Sequence, residues 1–85
     1  MSKNKYKNQN FKYVFAIIGK TDINCRRNLY FINSQTQGMT MCEFAWSLAT
    51  EFDTKAEANS YIPKLKEKYK GIKHFKLEYR KIEFI

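Results

Sequence analysis

Nine cations are the residues whose type and spacing suggest chemistry: Lys3, Lys5 and Lys7; Arg26 and Arg27; and Lys73, Lys76, Arg80 and Lys81. The chemistry is electrostatic, because ammonium and guanidinium groups neutralise phosphates and release the counterions condensed around them. The chain has 85 residues and a net charge of +8, unevenly placed. Residues 1–10 carry three Lys and no acid, and residues 11–63 are neutral on balance. Residues 64–85 are basic again, with only Glu67, Glu78 and Glu83 as counter-charges. A cation excess gathered in a tail and in the last quarter of the chain favours an anionic partner. The competing explanation is solubility, since Lys keeps small aromatic-rich domains apart.

Other chemistries fit poorly. Gly19-Lys20-Thr21 follows an apolar run, as a phosphate-binding loop does, but the loop's first Gly would fall at Val14. Cys25, Cys42 and His74 are the only soft metal ligands and lack the spacing of a zinc site, so no metal and no cofactor is expected. The two thiols read as one in a loop and one buried in a strand. No paired carboxylates are apparent, and catalysis is not expected.

One core suffices for this length, and a single small α+β domain is expected over 11–85, behind a flexible basic arm at 1–10. Phe11 to Ile18 reads as a strand apolar on both faces, and Leu29 to Asn33 as a second. Met39 to Leu48 reads as a third. Thr54 and Glu57 form a capping-box pattern, and Ala58, Tyr61, Ile62, Leu65 and Tyr69 follow on one helical stripe. Gly71 is the expected left-handed stop, and Pro63 lies on the outer side, where it should bend the helix. His74 to Ile85 reads as the last strand. Its apolar set shifts from odd to even positions near Arg80-Lys81, which suggests a bulge or an end that leaves the sheet. The order is β-β-β-α-β, one helix packed on an antiparallel or mixed sheet, which leaves the second sheet face uncovered.

The segment from Trp46 to Ala58 contains Trp46, Ala49, Phe52, Thr54, Glu57 and Ala58 in the pattern W-x-x-A-x-x-F-x-T-x-x-E-A. It resembles a pattern in small uncharacterised proteins of bacteriophages and other mobile elements. Its second half, Phe52 to Ala58, is similar to the strand-to-helix junction of the arm-type DNA-binding domains of phage integrases. That resemblance implies a three-stranded sheet followed by a helix, with the sheet entering the major groove. It transfers no base-contacting residue to this chain, for which a fourth strand and no catalytic domain are expected.

Two functions follow as expectations. The first is a non-catalytic nucleic-acid-binding protein that uses the basic arm, Arg26-Arg27 and the face of the last strand. The second is a protein-interaction module, an inhibitor or adaptor acting on a host protein with an acidic surface. The uncovered sheet face would meet that partner or a second copy of the chain. The polar N-terminus and the short apolar runs suggest neither export nor a membrane partner, so a cytoplasmic location is expected.

Overall fold

Alternating aromatic and β-branched residues make Phe11–Lys20 a ten-residue strand, β1. The structure is a computed structural model that describes residues 11–83; the expected arm with Lys3, Lys5 and Lys7 lies outside them. After β1 come β2 (Leu29–Ser34), β3 (Gly38–Glu43), helix α1 (Lys55–Lys68) and β4 (His74–Glu83). The fold is α+β, and the four strands form one antiparallel sheet in the order β3-β2-β1-β4.

Turn chemistry sets the β2–β3 hairpin. Ser34 pairs with Gly38, and three residues close the loop. Gly38 has φ +70°, where a side chain would be strained, and Ser34 Oγ accepts the Gln37 N–H at 3.0 Å.

β1 and β4 pair along their full length, from Phe11 with Glu83 to Lys20 with His74. The register is unbroken, so the bulge expected near Arg80-Lys81 is absent. By contrast β1 meets β2 only at Ile18–Tyr30 and Gly19–Leu29. Residues 50–52 fill the wedge that opens beyond. Thr50 N–H donates to Phe31 O at 2.9 Å, and Phe15 and Phe52 exchange two backbone bonds of 2.8 Å. Thr50 Oγ1 also accepts the Asn33 N–H at 2.7 Å. The backbone groups freed by the splayed strands are thus satisfied.

Odd positions of the strands face α1. Ile17, Phe31, Phe52, Ala58 and Leu65 are buried there, with Phe15, Met39, Met41, Tyr61, Phe75 and Leu77 packed around them. Gly19 allows the closest approach: a Cβ on it would lie 2.8 Å from Ile72 Cγ2. Thr54 caps α1 by accepting the Glu57 N–H at 3.1 Å, and Pro63 is accommodated inside the helix on its exposed side. The helix ends at Tyr69, whose N–H bonds Leu65 O at 2.8 Å. Gly71 is not left-handed; among the described residues positive φ occurs only at Gly38 and Phe44. The turn closes instead through Ile72 N–H to Tyr69 O at 3.0 Å.

The even face is not free. Val14, Ala16 and Ile18 are almost completely buried. β3 ends at Glu43, not at Leu48, and residues 45–49 turn over this face through a short 3-10 turn at Trp46–Leu48. Ala45 and Ala49 point inward and are buried. The chain thus covers one face, fills the gap in the sheet and starts the helix that covers the other. This removes the basis for a homodimer through a free sheet face. It also explains the shifted pattern of β4. Near Tyr79 the helix no longer covers the odd face, while residues 46–47 and the half-buried Ile82 line a hollow on the even face. The apolar set follows the cover.

Candidate nucleic-acid interface

β4 is an edge strand carrying Lys76, Arg80 and Lys81, with Lys73 just before it, and its two ends differ. At its start Lys73, His74 and Lys76 join Lys20 from the end of β1 and Lys66 from α1 around a cleft of about 490 Å³. Ile18, Ile62 and Phe75 give the cleft an apolar lining. No carboxylate among the described residues lines it. The fold assembles this group from three elements. Lys20 pairs with His74 at the end of the ladder, and Lys73 N–H donates to Lys20 O at 3.0 Å, which fixes the α1–β4 turn there. Lys66 stands one turn after Ile62, so both lie on the helix flank that meets the cleft. Cations gathered without a counter-charge repel one another, and a bound anion relieves that repulsion.

At the other end of β4 the cations are engaged. The Arg80 side chain is only 7% exposed; its Nε donates to Glu78 Oε1 at 2.6 Å, and its Nη1 lies 3.9 Å from Glu51. Its guanidinium sits 4.6 Å from the Trp46 ring centre and 5.7 Å from that of Tyr30. Stacking of this kind suits the planar, weakly hydrated guanidinium. Arg80 therefore fastens residues 45–49 onto the sheet and is not placed to reach a phosphate. That corrects its expected role as a surface contact beside Lys76. The one group left over, Nη2, is buried without a partner among the described residues. Lys81 points to the opposite face, 3.5 Å from Glu83 and 4.4 Å from the Phe11 ring centre.

Arg26 and Arg27 do not extend the cleft. They line a separate hollow of about 320 Å³ with Tyr30, Phe44 and Trp46, and Arg27 is 3.5 Å from Glu43. Cys42 is exposed instead of buried, and Cys25 is half-buried; both are free thiols. Among the described residues no group of His, Cys, Asp or Glu is arranged to hold a metal.

Several surface residues escaped the sequence reading. Lys20, Lys66 and His74 belong to the cleft, and only the Ile62–Lys66 spacing hinted at one of them. Tyr79 is 62% exposed. Phe44, Trp46 and Leu48, read as strand, project from the cover of the even face, with Phe44 90% exposed and at φ +58°.

The fold and surface define a small α+β domain with one concentrated basic cleft. No family model, curated protein or solved structure matches the chain. No helix among the described residues is long and apolar enough to cross a membrane. The Trp46–Ala58 pattern has a structural account: Trp46 stacks on Arg80, Ala49 and Phe52 are buried, and Thr54 caps α1.

Proposed function

We propose that the protein is a non-catalytic nucleic-acid-binding domain of phage or mobile-element type, acting in the cytoplasm. The observation that carries this reading is the cleft at the start of β4, where four Lys and one His meet with no carboxylate of the described residues among them. Its ligand is the phosphate backbone, which such a cleft holds by charge and without reading sequence. Lys73 and Lys76 are the contacts retained from the last strand, joined by Lys20 and Lys66. The basic arm with Lys3, Lys5 and Lys7 adds further phosphate contacts. The unpaired Cys25 and Cys42 are in keeping with a reducing compartment.

A tagged protein captured from host lysate tests this reading directly. The expected result is co-purifying nucleic acid that is lost after nuclease treatment and strongly reduced in a K73E/K76E variant. Recovery of the same protein partners with or without nuclease, and of no nucleic acid, would contradict it. That result would support the second reading, an inhibitor or adaptor module. The exposed Phe44, Trp46 and Leu48 favour this alternative, because large apolar side chains at the surface of a small domain can mark a protein contact.

A further inference from the structure

The odd face of the sheet has an end that α1 does not reach. The helix starts at Lys55, whose Nζ lies 5.9 Å from the Phe15 ring centre. Beyond it, Tyr13 and Tyr79 are 45% and 62% exposed. They are diagonal neighbours on β1 and β4, since Tyr13 pairs with Lys81 and Tyr79 with Phe15. Their rings stack 4.5 Å apart and 8° from parallel. Phe15 tilts against Tyr79 at 5.3 Å, and Phe11 meets Tyr13 edge-on at 5.6 Å. These contacts hold the rings in place, so a planar ligand meets a prepared surface and not two freely turning side chains.

A hollow of about 600 Å³ opens beside this pair, lined by Phe15, Leu77, Tyr79 and Lys55. Leu77 follows Phe75, a lining residue of the basic cleft, by two positions on β4. Phe75 and Leu77 therefore stand about 7 Å apart on the odd face of one strand, while His74 and Lys76 on the even face carry the basic cleft around the edge of β4. Lys55 and Lys81 flank the rings. Two acids of this region are ion-paired: Glu83 with Lys81 at 3.5 Å and Asp53 with Lys12 at 3.3 Å. Exposed stacked rings with ammonium groups near them, on the edge strand that also lines a cleft for phosphates, are complementary to an unpaired nucleotide strand. A duplex hides the base faces that such a floor would meet.

Resting on the nucleic-acid reading above, we propose that the ligand is single-stranded and that the Tyr13–Tyr79 platform stacks its bases. The backbone runs along β4 from the Lys73/Lys76 cleft, and a base enters the hollow against Tyr79. Lys55 meets a flanking phosphate.

The test compares three probes on the full chain: a strand of about twelve nucleotides, an abasic strand of equal length, and a duplex. The base-bearing strand is expected to bind about tenfold tighter than the abasic one. Tyr79→Ala should remove most of that preference, and Tyr13→Ala part of it. Affinity for the abasic strand should stay unchanged in both variants, with Tyr79→Phe close to wild type. Equal binding of base-bearing and abasic strands, or a preference that survives Tyr79→Ala, would overturn the stacking proposal while leaving phosphate binding intact. Tighter binding of the duplex would also overturn it. Binding of none of the probes would overturn both readings. Finding the platform occupied by a second copy, as a dimer that Tyr79→Ala dissociates, would assign the surface to self-association instead.

Discussion

The two ends of β4 carry cations at similar density, yet the fold treats them in opposite ways. Lys76 and Arg80 lie on the same face of the same strand, four residues apart. Lys76 lines an exposed cleft with no acid of the described residues on it, whereas Arg80 is buried, ion-paired and close to two aromatic rings. The difference comes from what lies above each residue. Residues 45–49 cross the even face at the Arg80 end and bring Trp46 down onto the guanidinium, while nothing comparable covers Lys76. Charge counted along a sequence marks both ends as equal; only the covering element separates a structural cation from one left for a partner.

That contrast predicts different failures for different substitutions. Arg80→Ala should have the largest effect, destabilising the fold by about 3 kcal/mol in urea denaturation, because Glu78 loses its partner and Trp46 its platform. Binding by the remaining folded fraction should be preserved. A loss of nucleic-acid affinity at unchanged stability would break the distinction between the two ends. K73E/K76E should do the reverse, lowering affinity for a single strand by about a hundredfold, since each reversal removes an attraction and adds a repulsion. Its urea midpoint should stay close to that of wild type.

Gly19→Ala sharpens the comparison from within the cleft end. The new methyl would press on Ile72, Met41 and Phe75 at distances of 2.8 to 3.3 Å, at an expected cost of about 1–2 kcal/mol. Because Phe75 also lines the cleft, affinity should fall modestly as well. The smallest effect is expected at Phe44. Its φ of +58° is unfavourable for a residue with a Cβ, and its side chain is 90% exposed. Phe44→Gly should therefore leave stability unchanged or raise it by up to about 1 kcal/mol. A clear destabilisation would mean that the ring has a packing role in the free protein.

Local signals carried much of the fold. The Thr54/Glu57 pattern marked the start of α1, and Ala58 and Leu65 on the predicted stripe are indeed its buried residues. Such features depend on residues a few positions apart, so the sequence displays them directly. The end of β3 was not legible, because Phe44-Ala45-Trp46 alternates as a strand would while in fact leaving the sheet. The face change in β4 was visible as a pattern, but a shift of cover mimics a bulge when register is unknown. The cleft was half-legible. Lys73 and Lys76 stood out by charge, but Lys20 and Lys66 join them only because antiparallel pairing and a helix flank bring distant positions together. Arg80 was misjudged for the same reason: burial of a cation by Trp46, Glu78 and Glu51 is a tertiary property.

The central claim is that the open cleft, and not Arg80, holds the phosphate backbone. Salt dependence of binding measures this most directly, using anisotropy of a labelled single strand titrated from about 50 to 200 mM salt. Four cleft lysines alone give a log–log slope of about −3, and Lys3, Lys5 and Lys7 would steepen it toward −5. Replacing Lys20, Lys66, Lys73 and Lys76 by Gln should flatten the slope by about 3, while Arg80→Lys should leave it unchanged. Absence of binding at about 50 mM salt, or a slope that survives the four cleft replacements, would contradict the account.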